Sequence, residues 1–372
     1  MSMIVRTIEG KVNNLPEDFR LLKMRYGEKT AIKKKKRLFK DVVWAQEQEK
    51  TFNDFWIKNY GKKINPAWHK LYQSMNGVFD EKYFPEYFYT TKIEPKINPY
   101  SYCEVISDKN MLPYVFGGDN GGLYIPKIYL SCVNGIYKTD DNRLLTREQA
   151  VKCLENIGLC VIKPTVDTGS GSGVFIAEIK NGVDINSNKN VSEIFDYIGR
   201  SFAVQETISN NSNISKICPK SLNTFRIITF YTDAGIHHAP LVMRMGSGQN
   251  RVDNIHAGGL CIGVNIDGTL KEKAYQLGYG DNNLTFKNHP ATNVEFKDYN
   301  IGDIEKAVDL ATEMHKRIPQ LGILSWDMTI NDKEQITLIE VNCRNQSVWF
   351  PQVVNDCSIF GEDTGYFCMI LK

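Results

Sequence analysis

Trp326-Asp327-Met328-Thr329-Ile330, then Asn331-Asp332-Lys333-Glu334, then Ile336-Thr337-Leu338-Ile339-Glu340-Val341-Asn342-Cys343-Arg344 reads as two strands joined by a polar turn. Side chains of a strand alternate between faces, so the length of the turn decides which residues share one. A turn of two or four residues centred on Asp332-Lys333 pairs position 330 with 335 and 327 with 338, and predicts Asp327, Glu340 and Asn342 on one face. A three-residue turn would flip one strand and scatter them. Two carboxylates and a carboxamide beside an arginine suit Mg²⁺ when nucleotide phosphates supply the remaining oxygens. An exposed polar face of an antiparallel hairpin is the competing reading, and the upstream sequence is needed to choose between them.

The 372 residues, 42% apolar and 11% aromatic, hold enough core for two or three domains. No apolar run approaches the ~20 residues of a membrane span, and Met1-Ser2-Met3-Ile4-Val5-Arg6 lacks the apolar stretch and cleavage site of a signal peptide, so a cytoplasmic protein is expected. The nine cysteines are odd in number, form no C-x-x-C, and sit mostly in apolar segments such as Gly158-Leu159-Cys160-Val161-Ile162. Reduced, buried thiols follow, with neither a disulfide frame nor a zinc site.

Charge is uneven. The first sixty residues hold fourteen basic against eight acidic side chains, centred on Lys33-Lys34-Lys35-Lys36-Arg37. Such a run is usually a solvated helix face, here followed by a predicted helix carrying Leu38, Val42, Val43, Phe52, Phe55 and Trp56. If it binds anything, an anionic membrane surface at the inner face of the membrane or a phosphate-bearing substrate suits it better than sequence-specific nucleic acid, since no recognition motif accompanies it.

Residues 1–100 read as a basic, aromatic-rich helical region ending at Ile93-Glu94-Pro95-Lys96-Ile97-Asn98-Pro99, and residues 101–372 as one domain of alternating strands and helices, with parts at 101–208 and 209–372. Thr146-Arg147-Glu148-Gln149 is a capping box opening a helix that Gly158 would stop. A strand to Lys163 leads into Thr165-Val166-Asp167-Thr168-Gly169-Ser170-Gly171-Ser172-Gly173, then a second strand, Val174 to Ile179. A glycine loop between two strands brings backbone N–H groups close to an anion, and Lys163 adds a positive charge at its base; the arrangement implies a flap closing over phosphates. It lacks the G-x-x-x-x-G-K-[ST] of a P-loop and the helix of a dinucleotide fingerprint.

Phe202 to Ile208 reads as a strand. Leu222–Thr232 and Ile236–Met245 form a hairpin carrying Arg226 and Arg244, and Arg251-Val252-Asp253-Asn254-Ile255-His256-Ala257-Gly258-Gly259 precedes a strand from Leu260 to Ile266. Arginines on strands are costly to bury without anions, which favours a phosphate- or carboxylate-lined cleft. A helix from Ile301 to Ile318 presents Ile304, Ala307, Val308, Ala311 and Met314 on one face.

The order of these parts, from about residue 105 to 355, resembles the ATP-grasp superfamily. The spelling of Asn223-Thr224-Phe225-Arg226 and of Asp253 to Gly259 is most similar to its sugar-transfer associated group, found in bacterial surface-polysaccharide gene clusters. The resemblance implies an α+β ATP-grasp fold, two α+β subdomains whose antiparallel sheets clamp ATP, preceded by the helical region. It makes Lys109, in Ser107-Asp108-Lys109-Asn110, and Lys163 phosphate contacts, with Pro113 in the first turn of a helix. Gly169, Gly171 and Gly173 match the flap, and Gln205, Glu206 and the backbone of Ile208 match the adenine hinge. Asp327, Glu340 and Asn342 match the Mg²⁺ ligands, and Arg344 an arginine that steadies the acyl substrate. Arg251 and Asn254 resemble an Arg-x-Asn of amino-acid ligating relatives, with one extra residue between them.

The implied chemistry is ATP- and Mg²⁺-dependent ligation of a carboxylate, on a small molecule or glycan, to an amine through an acyl phosphate, with Arg226, Arg251 or Arg344 holding the carboxylate. His256 is either a base toward the amine or a structural histidine. Cys343 is expected to point into the core. A kinase on the same scaffold and a nucleotide-binding partner without turnover are the other two readings. An intact Asp327, Glu340, Asn342 and Arg344 set argues against the last.

Overall fold

The computed structural model describes residues 17–165, 173–248, 258–277 and 284–372, and the chain divides into two compact units, Met1–Pro99 with Arg344–Lys372, and Tyr100–Cys343.

The second unit carries two sheets. Strands β1 (Ile128–Val133), β2 (Ile136–Thr139), β3 (Leu144–Leu145), β4 (Gly158–Pro164), β5 (Phe175–Lys180), β6 (Val183–Asp184), β7 (Lys189–Asn190) and β8 (Phe202–Glu206) form one, in the order β3-β2-β1-β8-β4-β5-β6-β7. Strands β9 (Thr224–Thr232), β10 (Gly235–His238), β11 (Leu241–Met245), β12 (Leu260–Val264), β13 (Leu270–Gln276), β14 (Leu284–Phe286), β15 (Ile323–Ile330) and β16 (Ile336–Asn342) form the other, in the order β14-β13-β12-β11-β9-β15-β16, with β10 beside β9. Neighbouring strands pair antiparallel in both sheets. This is the α+β architecture that the resemblance implies.

Each sheet sorts its residues by strand alternation. In the first, Leu130, Cys132, Cys160, Ile162, Ala177, Ile179, Phe202 and Val204 form one core with Ala150, Val191, Ile194 and Phe195 of helices Arg147–Cys153 and Val191–Ile198. In the second, Phe225, Ile227, Met243, Met245, Leu324, Trp326 and Met328 pack with Ile304, Ala307, Val308, Ala311 and Met314 of helix Ile304–His315. The Thr146 capping box is present, its hydroxyl accepting from Gln149 N and the Gln149 side chain from Thr146 N, but the helix stops at Cys153. Gly158 opens β4 at φ 76° and does not cap the helix, because Leu154 and Asn156 have already turned the chain back. The expected long strand from Ile236 to Met245 is broken between β10 and β11, where Ala239 N alone bridges to Ile228 O and Pro240 offers no N–H.

The other unit is helical. Helix Gln46–Tyr60 buries Phe52, Trp56 and Tyr60, one turn apart, and ends at Gly61 in the left-handed conformation. The expected continuous helix after the basic run is absent: Lys36–Phe39 is a single turn, Val43 is exposed, and a new helix starts at Gln46. Four residues of the run are exposed, as a solvated face requires, whereas Lys35 lies partly buried over the Trp349 ring, 5.0 Å from its centroid.

The tail from Arg344 belongs to this unit rather than to the domain expected over 101–372, for reasons of hydrogen bonding. Glu94 accepts from the backbone N–H groups of Asn345 and Gln346, at 3.0 and 2.9 Å, and Glu86 from those of Val348 and Trp349, both at 3.0 Å. Gln352 completes the join, accepting from Phe84 N at 2.7 Å and donating to Phe84 O at 3.0 Å. Burial, then the charge of Glu28, raises the Glu86 carboxyl to about 8. Burial raises Glu94 to about 7, against its two backbone hydrogen bonds and the charge of Arg344. A carboxyl whose folded pKa exceeds its unfolded value adds stability that is fully present below the unfolded pKa and is lost as pH rises through the folded one. The melting temperature is therefore expected to fall as pH rises from about 5 to about 8, and to fall less in a Glu86→Gln/Glu94→Gln variant. An equal fall in both proteins would place the titration elsewhere.

Seven of the nine cysteines are buried, Cys153 is exposed and Cys357 intermediate, and all nine are free thiols. Among the described residues no helix is long and apolar enough to cross a membrane.

Candidate nucleotide and metal site

The hairpin Ile323–Asn342 folds on a different register from the one predicted. Its turn is Asp332-Lys333-Glu334, closed by Asn331 N to Gln335 O at 3.0 Å and Glu334 N to Asn331 O at 2.9 Å, with Glu334 at φ 58°. Ile330 pairs with Ile336, not with position 335, and Met328 with Leu338. This is the three-residue turn that should scatter the acids. A bulge prevents it: Ile339 is an extra residue between Leu338 and Glu340, so that Asp327 pairs with Glu340 and Ser325 with Asn342. Ile336 and Leu338 thereby join Met328 and Ile330 in the core, while Glu340 and Asn342 turn to the face of Asp327. The predicted convergence is present and its predicted pairing, 327 with 338, is not.

That face of the second sheet is ionic. Register places Arg226 opposite Asp327 and Val242 opposite Arg226, which puts Arg244 on the same side. Arg226 donates to both oxygens of Asp327, Nε to Oδ1 and Nη2 to Oδ2, each at 2.8 Å. Arg244 Nη2 lies 3.0 Å from Oδ2 and donates to Thr224 Oγ1 at 2.8 Å. Asn342 Nδ2 donates to Oδ2 at 3.1 Å. Burial pushes the Asp327 carboxyl up, but the two guanidinium groups together outweigh it and hold it below the usual carboxylate range.

Lysines complete the cluster. Lys109 Nζ is 3.1 Å from Glu340 Oε1. Its backbone N donates to Thr165 O at 3.1 Å, which ties the turn Lys109–Met111 to the end of β4, and Pro113 stands in the first turn of helix Leu112–Phe116 as expected. Lys163 is 9% exposed and makes no hydrogen bond or ion pair among the described residues. Burial first, then the charge of Lys109, pushes its ammonium down to about 8 against the pull of Glu340. Among the described residues Lys109, Lys163, Arg226 and Arg244 thus gather near the carboxylates of Asp327 and Glu340. The buried ammonium of Lys163 is a charge that an anion would stabilise, and a polyphosphate is such an anion.

On the face of β4 shared with Lys163 lie Leu159 and Val161, and opposite Val161 on β5 lies Ile176. Leu159 is 52% and Ile176 40% exposed, so apolar surface adjoins the lysine.

The hinge residues are otherwise employed. Gln205 is buried and donates to Pro126 O at 3.0 Å, and Glu206 Oε1 accepts from Tyr124 OH at 2.6 Å and Lys127 N at 2.5 Å. Their side chains hold the segment 124–127, and the chain leaves the ladder after Glu206, with Ile208 half-buried beyond it. Gly173 sits at φ 81°, where a Cβ would lie 3.0 Å from Pro164 Cγ. Gly173→Ala is expected to cost about 1–2 kcal/mol in urea denaturation from the left-handed backbone alone. A neutral result would mean that the flap end can readjust. Gly169, Gly171, Arg251, Asn254 and His256 lie outside the described residues. Arg344 is described with the helical unit, where its charge acts on Glu94. Cys343 is buried, with its Sγ 3.3 Å from Ser107 Oγ.

The oxygen donors fit Mg²⁺. Asn342 spends its amide N–H on Asp327 and keeps its carbonyl oxygen, while Glu340, 31% exposed, carries one lysine contact. Two carboxylates and an amide are the sparse protein share that this ion takes beside phosphates. Arg244, Thr224 and Tyr124 are members to which the sequence alone assigns no role in the site. The parity of Arg244 with Arg226 across their hairpin was the available signal, and nothing local marked the others.

Residues 89–365 match the family described as sugar-transfer associated ATP-grasp. No curated protein matches the chain. Among solved structures it is similar to the ATP-grasp ligase PsnB complexed with minimal precursor, Mg and ADP (11% identity, TM-score 0.40, 74% of this chain and 62% of that one). It is also similar to VanG D-Ala:D-Ser ligase from Enterococcus faecalis (14%, 0.39, 72% and 61%) and to carboxyaminoimidazole ribonucleotide synthase from Aspergillus clavatus (16%, 0.39, 71% and 55%). The chain spans between 55% and 62% of the length of these proteins, and family membership rests on the first match alone.

Proposed function

We propose, since the chain belongs to the sugar-transfer associated ATP-grasp family, that it is an ATP- and Mg²⁺-dependent ligase joining a carboxylate to an amine through an acyl phosphate, on a glycan or glycan precursor. The observation that carries the reading is the buried Lys163, without an ion-pair partner among the described residues and beside Lys109, which asks for an anion. Leu159, Val161 and Ile176 offer a purine an apolar plate beside it, with hydrogen bonds to the base coming from backbone at Ile208.

Lys109 and Lys163 neutralise and orient the phosphate chain. Asp327, Glu340 and Asn342 are the residues that would hold Mg²⁺, which when bound offsets charge on the transferring phosphoryl group. A substrate carboxylate oxygen bonds to the γ-phosphorus as the bond to ADP breaks. An amine nitrogen then bonds to the acyl carbon, phosphate leaves, and the amine gives up its proton. Arg226 and Arg244 act on this chemistry through the charge they bring to the ionic face, and Arg344 and Arg251 are the further arginines proposed to hold the carboxylate. No nucleophilic side chain is needed.

Hydroxylamine tests the central step. Incubated with the protein, Mg-ATP and a panel of uronic and amino acids, it is expected to capture the activated acyl group as a hydroxamate. ADP release with transfer of phosphate to a hydroxyl acceptor, and no hydroxamate, would make the protein a kinase. Binding of ATP without turnover of any kind would leave the partner-protein reading.

A further inference from the structure

Two polar side chains beside the lysine pair are buried without a partner among the described residues, and the reaction above uses neither. Asn110, 7% exposed, has both carboxamide atoms buried and unbonded, and the hydroxyl of Thr165, 1% exposed, is in the same condition. Buried amides and hydroxyls are almost always hydrogen-bonded, so orphans call for a missing partner. Their placement is fixed by backbone. Asp108 caps Asn110 N at 2.9 Å, Lys109 N donates to Thr165 O at 3.1 Å, and Thr165 lies two residues beyond Lys163. The orphans therefore sit next to the two lysines in the chain, Asn110 after Lys109 and Thr165 two beyond Lys163, in segments that this backbone bond ties together.

Resting on the phosphate reading above, we propose that Asn110 and Thr165 complete an oxyanion subsite with Lys163 and donate hydrogen bonds to non-bridging oxygens of the bound phosphate chain. The carboxamide N–H and the hydroxyl supply the directional donors that a lysine, a point charge on a flexible stem, does not. The carboxamide oxygen is left to accept from an ammonium. Donors held ready in the absence of ligand need no reorganisation when the anion arrives, and their lack of partners until then lowers the stability of the empty protein.

That cost makes the test two-sided. Asn110→Leu and Thr165→Val are each expected to weaken binding of magnesium-free tripolyphosphate, read by calorimetry, about tenfold or more, while the ligand-free melting temperature stays level or rises. Thr165→Ser, which keeps the hydroxyl, should retain the parent affinity. Asn110→Asp, which keeps the shape but opposes the anion, should lose more than Asn110→Leu and covers the case in which leucine does not fold. Parent-like affinity in Asn110→Leu or Asn110→Asp and in Thr165→Val would overturn the subsite and return these groups to the packing of the core. Adenylyl imidodiphosphate, a non-hydrolysable ATP analogue, separates the two ideas. If it binds the parent no better than tripolyphosphate while the variants still lose tripolyphosphate, the subsite stands and the nucleotide reading falls. If neither probe binds the parent, both fall.

Discussion

Lys163→Met is expected to cut nucleotide turnover about a hundred- to a thousand-fold, the usual effect of removing one preorganised electrostatic group, while leaving the ligand-free protein at least as stable as the parent. Most substitutions of a buried charge destabilise because they strand a partner. Lys163 makes no ion pair among the described residues, so methionine removes a desolvated ammonium and strands nothing. Linkage gives an independent check. The folded ammonium titrates near 8 and the unfolded one near 10.5, so between these values the unfolded chain binds the extra proton. The parent therefore gains stability over Lys163→Met as pH rises through that window, and the difference is flat below it. Nucleotide binding at Lys163 is expected to restore the charged form, so near pH 8 binding should take up a proton, visible as a buffer-dependent enthalpy. Turnover within tenfold of the parent, or a variant several degrees less stable, would mean that Lys163 is a structural lysine.

Much of this site was legible in the chain. Alternation over β9, β11, β15 and β16 was enough to predict that Arg226, Asp327, Glu340 and Asn342 lie on sheets, and the glycine loop after Lys163 marked the lysine as something other than core. The route to the convergence was not legible. Glu334 adopts the left-handed conformation without a glycine to signal it, and Ile339 makes its bulge with a side chain that any regular strand would accept. The two departures cancel, which is why a wrong register led to the right face. The tail could not be assigned at all: Glu86, Glu94 and Gln352 reach backbone groups some 250 residues away, and such bonds leave no periodic trace. Nor could it be read that Gln205 and Glu206, matched to the hinge by resemblance, bond Pro126, Tyr124 and Lys127 with their side chains.

The two carboxylates proposed to hold Mg²⁺, alike in the sequence, are expected to differ sharply on mutation. Asp327→Asn should lower the free energy of unfolding by about 3 kcal/mol or more, because it removes a buried carboxylate that both Arg226 and Arg244 contact. The side chains involved are 13%, 12% and 3% exposed, so little solvent is available to replace the lost carboxylate. Glu340→Gln removes one lysine contact from a side chain that is 31% exposed, and an effect under about 1 kcal/mol is expected. Both variants should lose turnover, so activity alone cannot tell anchor from ligand. Urea denaturation of the two, with the Asp327→Asn/Arg226→Met pair closing a double-mutant cycle, can: the pair should recover part of the loss, since the second change removes a guanidinium that Asp327 neutralised. The acid limb gives the same answer by another route. A carboxyl held below its unfolded value contributes stability that is present above that value, near 3.8, and is lost as pH falls through the folded one, so the parent should lose this contribution on acidification and Asp327→Asn should have none to lose. The apparent affinity for Mg²⁺ during turnover should then move more with Glu340→Gln than its stability does. If instead Asp327→Asn is as stable as Glu340→Gln, the arginines are not anchored by Asp327, and the ionic face must draw its order from the ligand.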